Sequence, residues 1–471
     1  MTTSSLSDYT KKLADYVVDL KYDEIPTEVI ERVKIMTLHT IGVSLAAAPL
    51  KMTKDVAEMV KEMNGGAGGC SSLWTTGEMV STVNATFANG TFADMLDWED
   101  CAWAGHPLSG AIPAGIVFAE ANKKSGKEYL EAVVAGFEVY QRVSMAVQPP
   151  KGFDHMKGWG LCNWQIFSSC VPAAKLLNLD GKQVSQAMGM ACSLSAIPNN
   201  LAHATMSDSY NYSMGAAAQS GAMSSLITKY GIRNLEHCFD IPYAYCEQMT
   251  TEVDRTWLDR RLDDHFYTMD ILLKHWPANM WVQTPVEIVD LMLKEHKLTA
   301  DDIEEIIVNP PTVYRMGCRE DGYTSLTEAQ FSMPYVIAAI ILDPIPGANW
   351  YTDEMMTNPR LIDLAKRVKS GSDEGDTLSS SFEAYQSGSH PMKHVTIRTK
   401  DGREFKKSLA NHKGHPANMF TRDEICDLFM HEASTVFSRA EAQKMIDYVM
   451  NIESVDDFSG FNQLLPKSTG R

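Results

Sequence analysis

The sequence predicts a mostly α protein with an α+β second domain. Three observations predict it. Apolar residues recur at helical spacing through residues 1–269, strand-like runs appear only after residue 300, and helical spacing returns beyond residue 410. A chain of 471 residues exceeds one compact core, so more than one domain is expected. The boundaries read as a large helical domain over 1–269, a smaller α+β domain over 270–410, and C-terminal helices over 411–471 that rejoin the helical domain.

The elements follow in order. Ser7 and Asp8 stand where a cap precedes LADYVVDL. IPTEVIERVKIMTLHTIGVSLAAA carries apolar residues at helical spacing, with Pro26 early, where a missing N–H costs least. GAIPAGIVFAEANKKSG reads as a buried helix closing near Gly126, and GKEYLEAVVAGFEVYQRVSMAV as the next. IFSSCVPAAKLLNL, VSQAMGMACSLSA and YNYSMGAAAQSGAMSSLITKYG are rich in Ala, Gly and Ser, which let helix axes approach closely. The 27 methionines suit irregular core filling. In the second domain IEEIIVNPP reads as a strand, and HVTIRTKDGREFKKSL as a hairpin turning at Asp401-Gly402. PVEIVDLMLKEH and EAQFSMPYVIAAIILD read as helices, and GSDEGDTLSSS as a loop. RDEICDLFMHEAS and RAEAQKMIDYVMNI are helical again.

Composition excludes some partners. The formal charge is −18, so no global basic field draws nucleic acid or an anionic membrane; a local basic pocket for a small anion stays open. The N-terminus lacks an apolar signal region, and no run of about 18 apolar residues exists to span a bilayer. Nine cysteines without CxxC spacing read as reduced thiols in a cytoplasmic protein, with no disulfide frame or zinc site. NGGAGGCSSLW lacks GK[ST] and reads as a surface turn. HPMKH leads into a strand, where residues four apart sit about 13 Å apart, and HKGHP is loop-like. No metal or cofactor is expected.

One stretch concentrates chemistry. DMLDWEDCAWAGHPLSG gathers Asp94, Asp97, Glu99 and Asp100, then sets a lone His106 before a proline at a helix start. Asp97 reads as facing inward with His106. Asp94 and Asp100 read as structural or peripheral neighbours, and Glu99 as solvated.

Several segments together resemble the MmgE/PrpD family, which includes 2-methylcitrate dehydratases, cis-aconitate decarboxylases and iminodisuccinate epimerase. They are YDEIPTEVIERVKIMTLHTIGVSLA, NGTFADMLDWED with HPLSGAIPAGIVFAEA, AAKLLNLDGKQVSQAMGMACSLSA, SMGAAAQSGAMSSLITKYG, LLKHWPAN and EAQFSMPYVIAAIILD. The resemblance implies a helical domain plus an α+β lid, a homodimer, and an active site between the domains acting on a small carboxylic acid without a cofactor. It places an active-site aspartate at Asp97, a histidine at His106, a junction lysine at Lys274 and a lid tyrosine at Tyr335. The sequence departs from the family pattern elsewhere. A family histidine falls at about Trp159 or Gly160, a lysine at Tyr210, a second basic residue of the lid motif at Asn279, and the aspartate of an opening "LDT" at His39.

These residue types suit one chemistry. A C–H next to a carboxylate is a weak acid, so its removal needs a placed base and positive charge or donors on the developing oxyanion. His106 transfers protons near neutral pH, and a helix start favours its neutral, basic form. Asp97 would orient His106 and hold its tautomer. Lys274 would bind a substrate carboxylate, or act as an acid if burial lowers its pKa. Tyr210 and Tyr335 would protonate a carbanion or a leaving hydroxyl. Trp159, Asn279, Cys101, Trp103 and His275 are the candidate substrate-lining residues. Trp103, Trp159, Trp164, Trp276 and Trp281 crowd the same segments, so a cavity they line is more aromatic and less cationic than one built for a tricarboxylate. Three functions follow: a lyase that eliminates water or a related group with altered specificity, an epimerase or isomerase using the same abstraction, and a catalytically weakened binding or scaffold protein.

Overall fold

Tyr9–Asp19 and Thr27–Ala46 form the first long helices, α1 and α2. Buried residues run almost all round α2 from Val29 to Ala46, so it is an interior helix with no solvent face. The computed structural model describes residues 7–102, 105–148, 162–196, 205–386 and 392–467. Around α2 stand α3 (Lys51–Met63), α4 (Thr82–Asp94), α5 (Leu108–Asn122), α6 (Gly126–Val147), α7 (Cys162–Leu176), α8 (Gly181–Leu194) and α9 (Ser209–Lys229). Local chemistry fixes their ends. Ser125 and Glu128 form a reciprocal capping box at the start of α6, as Asp180 and Gln183 do for α8. The Ala- and Ser-rich α9 packs on α4 and α7, which sets Tyr210 at its first turn. No single helix among the described residues is long and apolar enough to cross a membrane.

Two small ribbons interrupt the helices. β1 (Ser71–Ser72) pairs with β2 (Met79–Val80), and β3 (Asp100–Cys101) pairs antiparallel with β4 (Leu272–Leu273). The α+β part holds a four-stranded sheet in the order β6-β5-β7-β8, built from β5 (Ile303–Asn309), β6 (Val368–Ser370), β7 (Lys393–Thr399) and β8 (Glu404–Leu409). β5 runs parallel to β6 and antiparallel to β7, with Ile306 opposite Ile397. The hairpin β7–β8 turns at Asp401-Gly402, as the sequence predicts. Helices α10 (Gln283–His296) and α11 (Met333–Leu342) cover this sheet's core, which also takes in Met95, Leu96 and Trp98 from the helical part. The seam between the parts is therefore packed.

Past residue 420, α12 (Arg422–Glu432) and α13 (Arg439–Met450) return to the helical body. Phe420, Phe429, Met445 and Phe458 share one hydrophobic core with Leu13, Leu38 and Phe118. Two local expectations differ. EAQFSMPYVIAAIILD is not one helix: it breaks after Gln330, and Ser332 caps α11 by accepting from the Tyr335 N–H. A helix over Leu378–Gln386 begins inside the stretch read as loop.

Candidate active site

The acidic stretch is drawn across the seam by backbone pairing. Asp100 lies opposite Leu273 and Cys101 opposite Leu272, so the ribbon sets the acids beside Lys274. The Lys274 N–H also donates to the Glu99 carbonyl at 3.4 Å. Asp97 turns the chain at φ 49°, a left-handed conformation costly for a residue with a Cβ. Asp94, Asp97, Glu99, Asp100 and Lys274 have no solvent exposure at all. Glu99 is thus not solvated: the ribbon folds its side chain inward.

Lys274 Nζ donates to Asp97 in a short ion pair and lies 3.5 Å from Glu99 Oε1. Burial opposes its charge, but the Asp97 and Glu99 carboxylates outweigh burial and hold the ammonium above the ordinary lysine range. Burial therefore does not lower its pKa, the condition attached to an acid role for Lys274. Burial likewise opposes ionisation of Glu99, and Lys274 and His106 reverse that, lowering its pKa to about 2. Asp94 and Asp100 go the other way, raised well above the usual range by burial and then by Glu99. Asp97 is also raised, by burial, with Lys274 and His106 opposing that rise, so Glu99 is the acid of this stretch that is held low.

His106 receives a partner on each ring nitrogen. Nδ1 makes a short bond to Glu99 Oε1, and Nε2 lies 3.0 Å from the Tyr210 hydroxyl. An ionised Glu99 only accepts, so Nδ1 carries the N–H and Nε2 is left to accept from Tyr210. The Lys274 ammonium sits 3.4 Å from the same Nδ1, a contact between two donors and not a hydrogen bond. Burial first, then Asp97, Asp94 and Glu99, push the Tyr210 phenol well above its ordinary value, so it remains a proton donor. Gly105 has φ +126°, and a Cβ there would fall 2.1 Å from the Tyr140 hydroxyl, so only glycine admits this approach to His106. Asp94, Glu99 and His106 offer ligand atoms within 4.8 Å of one another, a set suited to a divalent cation. The Lys274 ammonium already brings positive charge to that point.

Comparison with known proteins fits this arrangement of helical body, seam and sheet. The MmgE/PrpD N-terminal domain matches residues 11–257, and the MmgE/PrpD C-terminal domain matches residues 276–454. The chain belongs to the MmgE/PrpD family. It is 24% identical to a cis-aconitate decarboxylase of Mus musculus, over 98% of this chain and 94% of that protein. Identity to the cis-aconitate decarboxylase of Homo sapiens is also 24%, over 98% and 95%. A cis-aconitate decarboxylase of Aspergillus terreus is 21% identical over 98% and 97%.

Within this MmgE/PrpD chain the structure brings His106, Asp97, Lys274 and Tyr210 together. The assignment of partners differs from the expectation, because Asp97 binds Lys274 while Glu99 holds His106. Cys101 lies buried on β3 beside the cluster, and burial raises its thiol pKa. Tyr335 is not brought there: its hydroxyl donates to the Trp350 carbonyl inside the sheet's core, and its ring stacks on Tyr351. His275 pairs through Nδ1 with Glu287 at 2.6 Å, and Trp276 donates to the same carboxylate. Trp164 is fully buried on α7 and Trp281 packs at the edge of the body's core. Trp103 and Trp159 lie outside the described residues.

Asn279 leads to a residue that sequence reasoning missed. Its Oδ1 accepts from Nε of Arg315 at 3.0 Å. The buried guanidinium also lies over the Phe331 ring, 4.5 Å from its centroid, and beside the Tyr314 ring. Phe331 in turn meets Tyr210 edge-on at 5.2 Å. Arg315, Tyr314, Phe331 and Met206 line a cavity of about 260 Å³. Burial lowers the Arg315 pKa to about 10, which leaves it cationic at neutral pH. Its only sequence signal is a charged residue after the NPP turn, in a short 3-10 turn without a motif.

Proposed function

We propose that this protein is a cofactor-independent lyase that moves a proton at a carbon next to a carboxylate and releases water or carbon dioxide from a small organic acid. One observation carries the reading: His106 is held between the Glu99 carboxylate and the Tyr210 hydroxyl, beside a buried ammonium. Glu99 fixes the tautomer, so Nε2 faces Tyr210 as the base. In abstraction, Nε2 takes the phenol proton as the phenol oxygen takes the proton from the substrate carbon, which leaves an imidazolium on Glu99 that can return its proton to a departing hydroxyl. Where the carbon is protonated instead, the phenol gives its proton and an imidazolium Nε2 restores it. Lys274 and His106 hold the buried Glu99 carboxylate ionised, and the ammonium lies beside the imidazole. The family relatives named as cis-aconitate decarboxylases support the reaction class.

Charge argues about the substrate. Lys274 is engaged by Asp97 and Glu99, so its charge is already matched within the cluster. Lys274 is spent on its own acids, so Arg315 is the better anchor: a buried guanidinium presents a fork that matches a carboxylate. We therefore place a substrate carboxylate at Arg315 and the reacting carbon toward Tyr210. Among the described residues Arg315 is the cation so placed, which suits an acid with fewer carboxylates than the three of cis-aconitate.

The test is incubation in deuterated water with a panel of hydroxy and unsaturated mono-, di- and tricarboxylic acids, read by NMR. The lyase reading expects deuterium at the carbon next to a carboxylate, together with a new or lost double bond, and neither with His106→Gln. Exchange without change of bonding points to an epimerase. No exchange with any acid sinks both.

A further inference from the structure

Trp98 separates Asp97 from Glu99, and it is held from outside the site at both its backbone and its ring. Its carbonyl lies 2.9 Å from Nε2 of His39 on α2. A carbonyl oxygen only accepts, so Nε2 of His39 carries the N–H. The other ring nitrogen, Nδ1, approaches Glu432 Oε1 on α12 to 3.1 Å without hydrogen-bond geometry, and both side chains are fully buried. The Trp98 ring meets His431 edge-on, with centroids 6.4 Å apart. His431 then donates from Nε2 to the Pro346 carbonyl at 2.7 Å.

The fold makes room for this contact. A Cβ at Gly42 would fall 1.9 Å from Glu432 Oε2, so glycine there lets the carboxylate reach α2. Gly42 lies one helical turn from His39, on the same face. Burying a carboxylate and an imidazole carries a desolvation cost that apolar packing would avoid. What apolar packing cannot supply is a directed donor on the Trp98 carbonyl.

We propose that His39 and Glu432 are a positioning pair for the reaction. They fix the Trp98 carbonyl, and so set Asp97 against Lys274 and Glu99 against His106. Neither touches the reacting groups. The strained φ of Asp97 persists only if its neighbours over-determine it, and the bond from His39 to the next residue does so. The proposal rests on the reading of His106 as the proton-transfer group.

The experiment follows the Nδ1–H signal of His106 by NMR in 15N-histidine-labelled protein, assigned by its loss in His106→Gln. His39→Ala and Glu432→Gln are expected to shift or broaden that signal, with the circular dichroism unchanged. His39→Gln, which can still donate to the carbonyl, is expected to move it back toward the wild-type position. Lys11→Ala, a remote surface change, leaves it in place. An unmoved signal in folded His39→Ala and Glu432→Gln overturns the proposal. Should His39→Ala fail to fold, Glu432→Gln and Gly42→Ala decide it alone, since either disturbs the carboxylate without removing the imidazole. Full exchange activity in His106→Gln would instead strike the proton-transfer reading, while the signal still reports whether the pair positions Glu99.

Discussion

The Tyr210 hydroxyl lies 3.0 Å from Nε2 of His106, across the ring from the Glu99 carboxylate. In the proposed reaction this alignment has the phenol carry the proton to or from the substrate. Tyr210→Phe deletes one oxygen and keeps the edge-on ring contact to Phe331. Deuterium exchange into substrate is expected to slow by about 10²- to 10⁴-fold, with thermal unfolding little changed. Exchange at the wild-type rate in that variant would remove Tyr210 from the reaction.

Lys274 has a structural consequence as well as a chemical one. Its removal leaves the Asp97 and Glu99 carboxylates buried and uncompensated. Lys274→Ala is therefore expected to lower unfolding free energy by about 3–5 kcal/mol in urea titrations. Adding Asp97→Ala should restore part of that loss, because the two side chains share one interaction. Strict additivity of the two single changes would contradict the ion pair.

The acids of one short stretch are expected to affect stability with opposite signs. Lys274 and His106 pull Glu99 down to about 2 against an ordinary 4.5. A lowered acid contributes stability above its unfolded value and loses it as pH falls from 4.5 toward 2. Asp94 and Asp100 are raised from 3.8, so the folded state keeps protons that the unfolded chain has released. Their effect is destabilising as pH rises from 3.8 through their folded values. At neutral pH, Glu99→Gln should destabilise, while Asp94→Asn and Asp100→Asn should stabilise. Near the ordinary carboxylate range the Asn variants should lose their advantage. Urea titrations at both pH values check this, and equal effects of all three changes would refute the assignment of charge.

What the sequence showed was set by how local the physics is. The Asp401-Gly402 hairpin was legible because its turn chemistry sits in two adjacent residues. His106 stood out because a lone histidine before a proline opens a helix. The break at Ser332 had a local signal too, a capping serine with Pro334 two residues on, but the apolar run of α11 masked it. Glu99 was misread because β3 and β4 are two residues each, too short for any periodicity to show that they pair. Arg315 was missed because its turn has no pattern, and its value comes from rings that only the fold brings near. The pairing of His39 with Glu432 joins distant helices, and no spacing rule reaches it.

Arg315 supplies the sharpest test of substrate anchoring. A carboxylate bound by a guanidinium gains charge-assisted bonds that a neutral amide cannot match, on the order of 1.5–3 kcal/mol. Arg315→Gln is thus expected to cut kcat/KM for a dicarboxylic acid by roughly 10- to 100-fold, mainly through KM. Arg315→Lys keeps the charge but loses the fork, so it should fall between the two. The decisive comparison uses the same acid with its distal carboxylate converted to an amide. Wild-type protein should prefer the free acid strongly, and Arg315→Gln should show almost no preference. If the preference survives that change intact, the carboxylate is held elsewhere, and the cavity beside Phe331 is not where the substrate's far end rests.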